Sequence, residues 1–422
     1  CRCMRKFLLV VLLVISVSFF AATKVVFWHA MGGGQGTTLN NIVKAFNESH
    51  PDIVVDAVYI GNYNALQQKL LAGAQAGQLP TISQAYSNWT AKLLQSDIVQ
   101  PLNNYMDDPK IGITKAEWQD VFKAFRDNCT WGNTVYAVPF NKSLYILYYN
   151  ASALSAAGIS APKTINELLY ASKTLTKDKN KDGKPDVYGY AFRTTVDTFQ
   201  IFLMMRGGDI VKMDKTGKYV STIDSQETRD VMSFFKKLLD DKAAFAQGGY
   251  LNDIFGQGTV LMYIDTIAGR TYAEQSSKGK FTWSWAPVPV WKTRNVPFAG
   301  TDVIMFTTAK EEEKRAAWEF MKYLISPEVT AYWAINTGYL PVTRAALQTT
   351  IWKQAAKSDP LLEIPLQQID NAKIYPQISV WTEIRNVVST MFNDYINGKV
   401  DMETAIKKAD TDIKKYLAEE YK

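Results

Sequence analysis

Imidazole is scarce in this chain: His29 and His50 are its two histidines. A multi-histidine metal site is therefore excluded and a histidine-based catalytic triad is disfavoured. No Gly-x-Ser-x-Gly elbow occurs. His29 reads as a packing or hydrogen-bonding residue. A carboxylate pair across a cleft remains compatible with the sequence, so an exported hydrolase stands as one alternative class. Asp178, Asn180, Asp182 and Asp186 have the spacing of oxygen ligands in a calcium loop, with Gly183 at the sharp turn. The last position of that loop is Gly189 instead of a bidentate glutamate, and Lys179, Lys181 and Lys184 dilute the charge. A structural Ca²⁺ site and a plain turn both fit, and either would brace a loop without doing chemistry. Met31-Gly32-Gly33-Gly34-Gln35-Gly36 could present backbone amides to an anion at a helix start. It lacks the Gly-Lys-Ser/Thr ending of a nucleotide loop.

The elements that must position such residues alternate. Lys24 to Trp28 reads as a buried strand, followed by the glycine loop and a helix capped by Thr37 or Thr38. That helix runs to Ser49 with Leu39, Ile42, Val43 and Phe46 on one face, and Pro51 closes it. Ile53–Val55 with Val58–Ile60 form the next strand, Leu66–Ala76 a helix, and Thr81–Ala85 a third strand. Further on, Leu144–Tyr149, Val260–Ile264 and Val303–Phe306 read as strands, and 164–175 and 310–324 as helices. This βαβα order predicts an α/β fold with a largely parallel sheet. In such sheets ligands sit at the carboxyl ends of strands. No solenoid repeat and no long linker is present.

A length of 422 residues, 47% hydrophobic and 21% charged, predicts a soluble globular protein of two domains. Aromatics at 13% serve a core and would also serve a carbohydrate or polyol site. Met4-Arg5-Lys6, the apolar run Phe7–Phe20 and the small pair Ala21-Ala22 form the three parts of a secretory signal peptide, cleaved near residue 22. Cys1-Arg2-Cys3 then lies upstream of a start at Met4, and no cysteine follows the run to carry a lipid. Removing residues 1–22 takes away Arg2, Arg5 and Lys6 and no acid, lowering the net charge from +6 to +3. That charge is no footprint for nucleic acid. Cys129 alone remains, so no internal disulfide is expected.

Five stretches at strand-to-loop transitions together resemble one family. They are Phe27-Trp28-His29-Ala30-Met31; Gly61-Asn62-Tyr63; Pro139-Phe140-Asn141; Leu147-Tyr148-Tyr149-Asn150; and Thr337-Gly338-Tyr339-Leu340-Pro341-Val342-Thr343. Tyr375-Pro376-Gln377-Ile378 adds a match near the C-terminus. In this order they are similar to the extracellular solute-binding proteins, family 1, of ABC importers, and most of all to the branch that binds glycerol 3-phosphate. The resemblance implies a two-lobed type II periplasmic binding fold, with a hinge and a ligand cleft between the lobes. Lobe one would combine 24–138 with 301–337, and lobe two 139–300 with 338–422. It implies a periplasmic, non-enzymatic monomer without a cofactor, which captures a small molecule and hands it to permease subunits. An exported sensor or lectin would share the same cleft.

Carried over residue by residue, the resemblance points to Tyr63, Ser143, Thr266, Gly300 and Tyr339 as ligand contacts. The two tyrosines offer a flat face plus a hydroxyl, Ser143 and Thr266 uncharged donors, and Gly300 a close backbone approach. Two positions depart from the branch. Ser87 stands where it has a carboxylate for glycerol hydroxyls. Ser379 stands where it has an arginine for the phosphate, so a bidentate charge-assisted clamp is missing there. Arg193, Arg270 and Lys142 are the candidate replacements, Arg193 first. Without a cleft cation the ligand would be a neutral oligosaccharide or polyol.

Overall fold

The computed structural model describes residues 22–422. The signal-peptide reading of residues 1–22 therefore lies, apart from Ala22, outside the described residues. No described helix is long and apolar enough to cross a membrane. Two sheets organise the chain. The first has the order Ile53–Tyr59, Thr23–His29, Ile82–Ala85, Asp302–Met305, Ala137–Pro139. Its first three strands are parallel, and Asp302–Met305 runs antiparallel to both neighbours. The second has the order Ala244–Gln247, Tyr190–Arg193, Met262–Thr266, Ser143–Asn150, Val296–Ala299, Ala372–Lys373. Here Ser143–Asn150 is antiparallel to every strand beside it, including Trp283–Ala286. The expectation of largely parallel sheets is thus corrected. Each sheet takes in a strand after the chain has crossed from the other, and that strand arrives in reverse.

Helices cover both sheets for readable reasons. In the helix Gly33–Ser49 the expected face Leu39, Ile42, Val43 and Phe46 is buried. Phe46 and Phe27 both meet Phe320 of the helix Glu311–Ile325, with ring centroids 5.1 and 5.9 Å apart. This helix begins earlier than expected, inside the glycine run, so Thr37 and Thr38 do not cap it. Their hydroxyls donate back to the carbonyls of Gly33 and Gly34. Gly36 is required because a Cβ there would lie 2.7 Å from the Met31 carbonyl oxygen. In the second lobe Phe392 of the helix Trp381–Ile396 packs on Phe235 and Phe199, at 5.2 and 5.6 Å. Burying each such ring contributes roughly 1.5–3 kcal/mol, and the cluster seats that helix on the second sheet. Much of the aromatic content is therefore core.

The chain crosses between the sheets at Phe140–Lys142 and again at Gly300–Thr301. Gly300 has φ +100°, and a Cβ on it would fall 1.8 Å from the Asn141 carbonyl oxygen. Only glycine lets the two crossings touch. Beside them Lys142, fully buried, pairs with Asp302 at 2.5 Å. Asp302 also accepts from Asn128 at 2.6 Å and from the thiol of Cys129 at 3.2 Å. The later chain returns to the first lobe after Tyr339. Phe122 N donates to the Val342 carbonyl at 3.1 Å, Ala345 N bonds Asp120 at 2.8 Å, and Trp352 packs with Ala331 and Ala334. The second lobe is rejoined where Gln368 reaches Val288 N and the Tyr145 carbonyl.

Candidate functional site

Where the two crossings meet, a hydrogen-bonded knot forms around the buried Asn141. Asn141 Oδ1 accepts from Thr301 N at 3.2 Å, from Thr301 Oγ1 at 2.5 Å and from Gln84 Nε2 at 3.0 Å. With its oxygen saturated, the amide is fixed and its Nδ2 donates to the Tyr63 hydroxyl at 2.8 Å. Tyr63 opens the helix Tyr63–Ala76, whose cap Asn62 accepts from Ala65 N at 3.0 Å. Tyr339 follows a helix closed by the left-handed Gly338, and its ring lies flat on Trp333 at 5.7 Å. Its hydroxyl lies near Asn141, Tyr63 and Gln35, whose polar groups offset part of the effect of burial on its pKa. Burial pushes the pKa values of Tyr63 and Tyr339 above the ordinary phenol value, so both stay neutral donor-acceptors.

A second cluster adjoins the first. Tyr86, just past the first-lobe strand Ile82–Ala85, sets its ring against Tyr63 at 5.1 Å and Trp89 at 5.0 Å. It lies close enough to Asp197, Tyr375 and Arg385 of the second lobe to feel their charges. Arg385 donates to Asp197 at 2.8 Å and stands 5.6 Å from the Tyr375 ring centre. The Tyr375 hydroxyl lies near Arg385 and Tyr145, which offset part of the effect of burial on its pKa. Burial alone would lower the Arg385 pKa, but Asp197, Tyr375 and Tyr145 hold it above the usual arginine value. The result is one guanidinium ringed by phenols from both lobes.

The expected residues divide into several groups. Tyr63 and Tyr339 are brought together through Asn141. Ser143 begins its strand on the same crossing, is buried, and accepts from Ala268 N at 3.4 Å. Thr266 ends its strand beside Tyr145, and its carbonyl accepts from the Tyr148 hydroxyl at 2.8 Å. Gly300 makes its close approach to the Asn141 backbone. Ser87 opens the helix Ser87–Leu94 and is buried. Arg193 faces Asp265 at 3.8 Å and carries the Tyr250 ring at 4.3 Å. Burial raises the Asp265 pKa against the opposing pull of Arg193.

Two candidate cations are already engaged. Lys142 belongs to the hinge pair with Asp302, and Arg270 is bound by Glu274 at 2.7 Å and by Asp359. Ser379 is turned elsewhere: its hydroxyl donates to Glu420 at 2.5 Å and accepts from Gln95 at 2.9 Å. Arg385 and Asn141 escaped sequence reasoning as site residues. Asn141 ends the quoted stretch Pro139-Phe140-Asn141 and Arg385 stands a few residues past Tyr375-Pro376-Gln377-Ile378; a lone arginine beside the apolar positions Trp381, Ile384 and Val388 was the available signal for Arg385.

His29 is buried and its Nδ1 accepts from Met31 N at 3.2 Å. The calcium-like loop closes on itself: Asp178 accepts from Gly183 N at 2.8 Å, Asp182 from Lys184 N at 2.8 Å and Asp186 from Lys179 N at 2.6 Å. Asn180 and Asp182 bond each other at 3.1 Å. Among the described residues no three His, Cys, Asp or Glu side chains gather to hold a metal ion.

Two α/β lobes joined by short crossings, with phenols, an amide and a guanidinium brought together where they meet, are the architecture of a two-lobed solute-binding protein. The chain belongs to the bacterial extracellular solute-binding proteins, whose family model it matches over residues 41–362. It is similar to the sn-glycerol-3-phosphate-binding periplasmic protein of Yersinia pseudotuberculosis, 24% identical over 425 residues covering 96% of this chain and 95% of that one. The protein so named in Salmonella typhimurium is 23% identical over 414 residues, 92% and 91% of the two chains. Among solved structures, UgpB of Mycobacterium tuberculosis in complex with glycerophosphocholine superposes with a TM-score of 0.83 at 18% identity, over 95% of this chain and 100% of that one. The GacH receptor of Streptomyces glaucescens, solved unliganded and with acarbose, gives 0.80 at 20% identity, over 94% and 99%. Such proteins bind a small molecule for an ABC importer and are not enzymes.

Proposed function

We propose that the gap takes glycerol 3-phosphate or a related glycerophosphodiester, with the anionic oxygens on Arg385 and the hydroxyls on the Tyr63–Asn141–Tyr339 knot. The observation that carries this reading is the cluster at Arg385. A guanidinium offers a planar fork to a phosphate, and Tyr145 and Tyr375 leave uncharged hydroxyls beside it. The names of the relatives support the same ligand class. Arg385 thereby takes the part expected of a cation at Ser379. The mature chain begins after a signal peptide cleaved near residue 22 and works in the periplasm as a monomer. Capture needs no cofactor in this reading, and a structural Ca²⁺ at Asp178, Asn180, Asp182 and Asp186 would only brace that loop. Each sheet with its helices forms one lobe, and ligand draws the two together.

A neutral oligosaccharide or polyol is the second reading. It is favoured by the pairing of Arg385 with Asp197 and of Arg193 with Asp265, which leaves less free positive charge. Thermal shift of the mature protein against glycerol 3-phosphate, glycerophosphocholine, glycerol and maltotriose separates the two. We expect a phosphate ester to raise Tm linearly with the logarithm of its concentration, and Arg385→Ala to weaken its binding at least a hundredfold. A response to maltotriose alone selects the second reading. Silence across the panel removes both.

A further inference from the structure

The turn of chain that leads into Arg385 is tied to the opposite lobe. Asn88 Nδ2 of the first lobe donates to Thr382 Oγ1 at 2.8 Å. Gln95 Nε2 donates to Ser379 Oγ at 2.9 Å. Lys92 faces Glu383 at 3.6 Å, the lysine exposed and the glutamate half-buried. Positions 88, 92 and 95 recur at helical spacing and so form one stripe of the helix Ser87–Leu94 and its cap. Their partners lie on and just before the first turn of the helix Trp381–Ile396.

The placement gives these bonds a consequence at the ligand. Tyr86 immediately precedes the donor helix, and Arg385 lies one turn beyond Thr382. A bond between Asn88 and Thr382 therefore fixes how Tyr86 of one lobe stands against Arg385 of the other. Ser379 is itself held rigid, since its backbone N donates to Glu420 Oε2 at 3.1 Å and its hydroxyl donates to the same carboxylate at 2.5 Å. With its proton committed, the Ser379 oxygen has only acceptor capacity left, and Gln95 supplies the donor.

We propose that Asn88, Gln95, Ser379 and Thr382 are positioning residues: they hold Tyr86 against Arg385 across the closed gap and set ligand affinity without touching ligand. This rests on the assignment of Arg385 to the ligand's anion. The bonds exist only while the lobes are together, so they weight the closed state before any ligand arrives. The apparent dissociation constant varies inversely with the closed fraction. Two neutral hydrogen bonds shift that equilibrium by about tenfold in total. The Lys92–Glu383 pair, long at 3.6 Å and open to solvent at the lysine, adds less.

The test uses fluorophores on Glu48→Cys and Lys237→Cys, exposed positions in the two lobes, with Cys129 buried and unreactive. Asn88→Ala/Gln95→Ala should lengthen the interlobe distance of ligand-free protein and raise the off-rate of glycerol 3-phosphate five- to tenfold. The on-rate and the Tm of the ligand-free protein should change little. Ser379→Ala should act in the same direction, and Ser379→Thr, which keeps the hydroxyl, should restore the native off-rate. Unchanged distance and off-rate in a double variant that still binds glycerol 3-phosphate overturn the positioning role and leave the ligand reading intact. A lengthened distance in protein that ignores the phosphate ester supports the cross-lobe tie and removes the ligand class.

Discussion

His29 shows how a single residue near the gap is fixed by packing. It is 2% exposed, its Nδ1 accepts from Met31 N, and the ring lies by the Ala57 backbone. Burial lowers its pKa from 6.5 to about 4, the Ala57 backbone opposing only in part. The unfolded chain therefore binds a proton between pH 6.5 and 4 that the folded chain refuses. Stability from this group is whole above pH 6.5, falls by about 2–3 kcal/mol on the way down to pH 4, and levels off below. His29→Asn keeps an acceptor for Met31 N and removes the titration. Tm measured against pH should be flatter in this variant between pH 4 and 6.5, and an unchanged slope would remove His29 as its source. Residue types carried much of this information. A histidine at the end of an apolar strand is legible as packing, and the motif positions of Tyr63 and Tyr339 placed both beside Asn141, where they are found. Arg385 was not legible, because its place depends on which face of the helix Trp381–Ile396 meets the other lobe. That choice is made by Phe392, Phe235 and Phe199, which are far apart in sequence. Ser379 was misread for the same reason: motif position marks the neighbourhood, whereas the side chain's partner, Glu420, comes from the last helix.

At the scale of elements, local pattern served best where one face is buried and one is not. The strands Thr23–His29 and Ile53–Tyr59 and the helices Gly33–Ser49 and Ile165–Leu175 lie close to where periodicity predicts them. Thr164 caps the last of these by accepting from Glu167 N at 3.2 Å. Strand direction was not legible, since nothing in Asp302–Met305 states that it returns from another sheet. Glycine marked the place where that return happens, although its reason is structural: at φ +100° and 1.8 Å from Asn141 O, any side chain at Gly300 pushes the crossings apart. Gly300→Ala should lower stability by roughly 2 kcal/mol or more, from a strained backbone and a displaced Asn141. It should also weaken ligand binding, because Asn141 orients Tyr63 and Tyr339. Chemical denaturation and titration calorimetry on the same variant read the two effects. Native values in both would show that the crossings can separate without cost.

The whole molecule is interleaved in a way that constrains how it unfolds. The first sheet is completed by Asp302–Met305, which the chain supplies only after the second sheet's strands Ser143–Asn150 and Val296–Ala299 have been laid down. The helix Glu311–Ile325, whose Phe320 packs on Phe27 and Phe46, also comes from that late stretch. Neither lobe is a continuous piece of sequence, so neither has a complete core without the other's neighbouring segments. The buried Lys142–Asp302 pair crosses the same junction, and separating it would leave an unpaired charge, a loss of several kcal/mol. Lobe independence is therefore costly. We expect a single cooperative thermal transition in the mature protein. Far-ultraviolet circular dichroism and the fluorescence of first-lobe Trp89 and second-lobe Trp285, each read in variants lacking the other tryptophans, should share one midpoint. A saturating ligand at a hundred times its dissociation constant should move that shared midpoint by the equivalent of about 2.7 kcal/mol. Two separated midpoints, with ligand moving only one of them, would mean that the late strand and the buried pair do not couple the lobes and that each lobe holds its own core.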